Sequence, residues 1–185
     1  MVNADLRAAE IMKRTVNIDF PSIAEIGVYK GDMSRRLMFR TNLHLVMIDP
    51  WGDFIAETYK SDPLSNHSVD EWEIIKKKAM DGVAWASDRV RVYQGTSEGA
   101  AEYFNEQFDV VFIDGDHSYE ATSKDIALWW PKVAPGGYLG GHDFGRPEFG
   151  VTEAVTEFAD EIGLEVVLGQ NYTWFIQNPI MHHPV

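Results

Sequence analysis

Short apolar runs alternate with helix-length segments along most of the chain, and this alternation restricts the fold more than any other feature. Residues 22–28 read as a strand ending at Gly27, followed by a helix over about 32–40 that Asp32 or Ser34 is placed to cap. A second buried strand, 44–49, is stopped by Pro50. Ser68 and Glu71 have capping-box spacing and open a helix predicted to reach about Ala86. Strands follow at 90–93, 108–113 and 137–141, with helices expected over about 98–105 and 119–130 between them. Residues 152–162 read as an amphipathic helix, and 165–168 and 173–176 as a hairpin around Gly169-Gln170-Asn171. Five such alternations predict an α/β fold built on a parallel sheet with right-handed crossovers. The hairpin adds an antiparallel member at one edge.

At 185 residues with 45% hydrophobic content, the chain is expected to form a single domain, 1–185, with a substantial core. Its largest excursion is 50–89, within which 51–67 looks irregular. No apolar run approaches the roughly 18 residues a membrane span needs, and no signal-peptide core is present around Asp5, Arg7 and Glu10. The chain has no cysteine, which excludes disulfides and thiolate metal sites and fits a cytoplasmic protein. With 29 acids against 16 bases, the formal charge is −13, so nucleic acid is disfavoured as a partner. Solubility is the ordinary reading of that excess; attraction for a cationic ligand needs a specific site.

Such a site is suggested where strands end. Val110-Val111-Phe112-Ile113 runs directly into Asp114-Gly115-Asp116-His117, and Tyr138-Leu139-Gly140-Gly141 runs into His142-Asp143. Open parallel sheets bind ligands at the carboxyl ends of their strands, so these residues suggest one polar site for holding a cation or moving a proton. Glu25-Ile26-Gly27-Val28-Tyr29-Lys30-Gly31 follows the first strand with G-x-x-x-G spacing, a weak signal by itself. Asp49, some twenty residues on at the next strand end, strengthens it, because an acid there accepts the hydroxyls of a nucleoside ribose. At the third strand end, Ser97 and Glu98 are placed to meet an adenine edge, although Ser97 also suits a helix cap.

Taken in order, Glu25-x-Gly27-x-x-x-Gly31, Ile48-Asp49-Pro50-Trp51, Phe112-Ile113-Asp114-Gly115-Asp116-His117-Ser118-Tyr119 and Pro135-Gly136-Gly137-x-x-x-Gly141-His142-Asp143 resemble the class I S-adenosylmethionine-dependent methyltransferases. The likeness covers about 20–177 and is closest to small O-methyltransferases of the catechol/caffeoyl-CoA type and to macrolide-sugar and cephalosporin-tailoring relatives. It implies a Rossmann-like three-layer sandwich with a mostly parallel seven-stranded sheet, order 3-2-1-4-5-7-6, strand 7 antiparallel. It also implies that Glu25, Gly27, Tyr29 and Gly31 line the methionine part of the donor and that Asp49 binds its ribose. Trp51, Ser97 and Glu98 would surround the adenine. In metal-dependent relatives the matching positions hold a divalent cation, here Asp114, His142 and Asp143; this donor set suits Mg, Mn or a similar ion. His142 departs from the all-oxygen pattern usual for Mg. His117 matches the position of the catechol type's general-base lysine, and an imidazole suits that task near neutral pH.

The expected activity is therefore methyl transfer to a hydroxyl of a small molecule, assisted by a divalent metal. Rival readings keep the donor without metal, on an amine or carboxylate acceptor, or take the chain as an NAD(P)-dependent oxidoreductase or a non-catalytic nucleotide-binding module. Residues 50–89 and 144–151 are expected to shape the acceptor pocket. The short N-terminal region predicts either an open site or one completed by a second subunit in a homo-oligomer.

Overall fold

A computed structural model describes residues 3–52 and 67–180. Most of the stretch expected to be irregular, and the tail histidines His182 and His183, lie outside those residues. The elements run α1 (Asn3–Arg14), β1 (Ser22–Ile26), α2 (Asp32–Met38), β2 (His44–Asp49), α3 (Val69–Val83), β3 (Val90–Gln94), α4 (Ser97–Tyr103) and β4 (Phe108–Ile113). They continue with α5 (Tyr119–Trp129), β5 (Val133–Gly141), α6 (Val151–Ile162), β6 (Val167–Leu168) and β7 (Trp174–Gln177). The seven-stranded sheet has the order β3-β2-β1-β4-β5-β7-β6. Strands β1 to β5 pair in parallel, and β7 is antiparallel to both β5 and β6.

Helices cover both faces. One side packs Ala8, Ile11, Leu37, Ala79 and Phe112 together, drawing on α1, α2 and α3. The other packs Ala100, Ile126, Trp129, Val155 and Trp174, drawing on α4, α5 and α6. Strands covered on both faces read as continuous apolar runs, which is why 45–48 and 110–113 carry no polar alternation. The central strands β1 and β4 end side by side, with Ile26 in register with Ile113. Gly27, at φ +85°, follows immediately, and a Cβ there would fall on the Asp114 carbonyl oxygen. Close packing of two strand ends thus requires glycine at this position.

Several local expectations are corrected. Helix α2 has Gly31 as its N-cap with no side-chain cap, because the Ser34 hydroxyl is spent on Glu25 instead. Gly31 itself faces α3: a Cβ there would lie 2.8 Å from the Cα of Ala79, so helix packing requires a glycine here. Thr96, not Ser97, caps α4 by accepting from the Gly99 N–H. The capping box of Ser68 and Glu71 forms as expected.

Candidate active site

The carboxyl ends of β1, β2, β4 and β5 bring Glu25, Asp49, Asp114, His117, His142 and Asp143 to one edge of the sheet. Asp49 is buried and accepts three main-chain N–H groups, from Val28 and Tyr29 on Oδ2 and from Trp51 on Oδ1, each at 2.8 Å. Burial pushes its pKa up, and these three hydrogen bonds oppose the rise. Glu25 is 1% exposed and accepts a 2.6 Å hydrogen bond from Ser34. Burial raises its pKa to about 8, so it is largely protonated at neutral pH.

Around this core the aromatic and polar residues are committed in ways the sequence did not reveal. Trp51 is 2% exposed, and its indole donates to the Tyr29 carbonyl at 2.9 Å. Its ring is therefore packed into the core beside the turn that follows β1. Tyr29 donates its N–H to Asp49, while its ring stacks on His67 and meets Trp72 edge-on. Ser97 accepts from Trp129 Nε1 at 2.8 Å and hydrogen-bonds to the buried Asp125, whose pKa burial raises to about 6. Glu98 is turned outward to Lys124. Asp116 accepts from the Ser118 N–H at 2.7 Å, shaping the turn into α5.

At the other two strand ends the contacts run between side chains. Asp143 Oδ2 lies 2.9 Å from His117 Nε2 and 2.9 Å from His142 Nδ1. Burial raises its pKa, but the hydrogen bonds from both imidazoles prevail and hold the carboxyl well below the usual carboxylate range. Asn171 lies 3.1 Å from His142 Nε2 through its amide nitrogen. With that amide donating, the ring proton of His142 sits on Nδ1 and faces Asp143. The His117 ring stacks on Phe149 with centroids 4.5 Å apart, and its carbonyl accepts from the Gly150 N–H. Arg7 of α1 forms an ion pair with Asp114, and no motif pointed to that arginine.

Asp114, His117 and Asp143 each offer a ligand atom within 4.8 Å of the others, two carboxylates and an imidazole that suit a divalent ion. His142 stands close by, with Nδ1 3.6 Å from Asp114 and 2.9 Å from Asp143. Tyr29, Trp51 and Asp143 all have positive φ, at 51°, 39° and 63°. Non-glycine residues held in that region carry backbone strain and concentrate at functional sites; here all three flank strand ends.

This strand order with one antiparallel edge strand, and ligand-capable groups gathered at its carboxyl ends, defines a class I methyltransferase-like architecture. Residues 24–144 match the family model described as Methyltransferase domain, and the chain belongs to that family. Among solved structures it is similar to CalS11, a calicheamicin methyltransferase, at a TM-score of 0.68 and 13% identity over 94% of this chain and 77% of that one. The O-methyltransferase NovP gives a TM-score of 0.64 and 15% identity over 96% and 80% of the two chains. An O-methyltransferase family protein from Burkholderia thailandensis gives 0.61 and 14% identity; 97% of this chain is covered, but only 58% of that one. No curated protein matches the chain in sequence. Among the described residues, no helix is long and apolar enough to cross a membrane.

Proposed function

We propose that this methyltransferase moves a methyl group from S-adenosylmethionine to a hydroxyl oxygen of a small molecule. The observation that carries the reading is the convergence of Asp114, His117 and Asp143 within 4.8 Å, beside the donor-side acids Glu25 and Asp49. Transfer breaks the sulfur–methyl bond, forms an oxygen–methyl bond and releases the hydroxyl proton. His117, oriented by Asp143, would accept that proton. Asp49 would bind the ribose through the acceptor capacity left on Oδ1, which takes only one main-chain N–H. Alignment of oxygen and methyl carbon supplies the larger part of the rate, roughly 7–11 kcal/mol in well-oriented systems.

Asp114 and Asp143, with His117 or His142, would hold a divalent cation. When bound, such an ion lowers the pKa of an acceptor hydroxyl. For the acceptor we assign the open groove of about 470 Å³ between the 145–149 loop and α6, lined by Arg146, Phe149, Thr152 and Thr156 among others. Phe149 joins it to the site by stacking on His117.

A second reading, methyl transfer without metal, draws on the ion pairs already present. Arg7 neutralises Asp114, and two histidines surround Asp143. Calorimetry with S-adenosylhomocysteine and with NAD separates the donor reading from an oxidoreductase, and only the former is expected to bind. Methyl uptake by phenols, sugars and hydroxy acids from labelled donor, with and without chelator, then identifies the acceptor. Full activity in chelator selects the metal-free reading; no binding of S-adenosylhomocysteine overturns both.

A further inference from the structure

The pocket rim is acidic, yet the methyl donor carries a carboxylate as well as two cationic groups. Asp49, Asp114 and Asp143 lie at this edge of the sheet, beside the largely protonated Glu25. Such a set welcomes the sulfonium and ammonium and repels the carboxylate unless a cation stands with it. Arg7 meets that need. It reaches Asp114 from α1 through Nη1, and it is the cation acting on the buried Glu25, opposing the rise that burial causes. Its side chain is only 20% exposed, and its Nε is buried with no hydrogen-bond partner among the described residues. Guanidinium groups present five N–H donors in a planar fork. With Nη1 taken by Asp114, the edge carrying Nε is left to a ligand. A buried unmet donor between two strand-end acids calls for an incoming acceptor of hydrogen bonds.

We infer that Arg7 binds the carboxylate of the donor's amino-acid end, so that α1, outside the residues the family model matches, supplies a binding residue to the site. The inference rests on the proposed S-adenosylmethionine reading. In this arrangement Asp114 orients the guanidinium, and the Nε edge makes a side-on, charge-assisted contact with the ligand. Position 7 thus decides whether the enzyme distinguishes a complete donor from one lacking its carboxylate.

Calorimetry with S-adenosylhomocysteine and its decarboxylated analogue tests this on the intact chain, with no turnover required. The unaltered protein should prefer the carboxylated ligand by roughly 10- to 100-fold, as hydrogen bonds to charged groups provide. Arg7→Gln should remove most of that preference, and Arg7→Lys should retain part of it. The ratio of the two affinities is the readout, because a variant that only loosened α1 would weaken both ligands alike. Equal affinities in the unaltered protein, or an undiminished preference in Arg7→Gln, overturn the inference and leave Arg7 as a counterion of Asp114. Failure of both ligands to bind the unaltered protein instead removes the donor reading itself.

Discussion

The ends of β1 and β2 and the ends of β4 and β5 both carry acids, but they hold them by different means. On the first side, Asp49 is fixed by three main-chain N–H groups. On the second, Asp143 is held by two imidazoles and Asp114 by an arginine from α1. Main-chain bonds of the first kind arrive with the fold and persist while it persists. Side-chain pairs of the second kind can exchange partners when a proton, cation or substrate enters. On the proposed reading, the molecule joins a pre-built donor platform to an exchangeable catalytic half, a division suited to one invariant co-substrate and a separate reacting centre.

The sharpest way to break this comparison is Asp143→Ala. Loss of the shared carboxylate takes one anchor from each imidazole, and kcat should fall by roughly 100- to 10,000-fold, the range for losing an oriented acid–base group. Initial rates against pH check this. His117→Ala should lose less and regain part of the rate at high pH, where the acceptor ionises unaided. A rate unchanged in both variants would move the catalytic half elsewhere.

Asp49→Ala attacks the platform instead, and its effect should appear first in stability. Three main-chain N–H groups, those of Val28, Tyr29 and Trp51, would lose their acceptor. A loss of about 2–4 kcal/mol is expected in urea unfolding, with Tyr29 and Trp51 no longer held at positive φ. Asp143→Ala should leave the urea midpoint closer to that of the unaltered protein. Equal destabilisation by the two variants would erase the distinction between the halves.

How much of this was legible in the sequence follows the same division. Apolar runs closed by acids identified β1, β2, β4 and β5, and the strand order implied by the motif resemblance is the order observed. Those features depend on periodicity and on residues close together in the chain. What escaped depends on long-range choices among equally good local partners. Ser34 was placed to cap α2, but it serves Glu25 because an unpartnered buried carboxyl costs more than an uncapped helix end. Ser97 is taken by Trp129 and Asp125, and Trp51 by the Tyr29 carbonyl, long-range partners that no local pattern announces. Arg7 pairs with a residue 107 positions away, a contact for which no local pattern exists. His117 joins Asp114 and Asp143 in the ligand-capable group, while His142 is engaged by Asn171 from the β6–β7 turn, a contact across 29 positions.

Glu25 is the exception on the β1–β2 side, since a side chain and not the main chain holds it. Its carboxyl ionises near pH 4.5 when unfolded, whereas burial raises the folded value to about 8. Between those limits the folded protein keeps a proton that the unfolded chain has released. Stability from this group is full below the lower value and declines as pH rises through the upper one, at no more than about 1.4 kcal/mol per pH unit. Glu25→Gln keeps an oxygen for the Ser34 hydroxyl and removes the titration. Urea midpoints measured from pH 5 to pH 9 should therefore diverge in the variant's favour as pH increases, then run parallel above about pH 8. Curves parallel throughout would mean that Arg7 keeps Glu25 ionised within the fold. In that case the donor platform would share the exchangeable character of the other half.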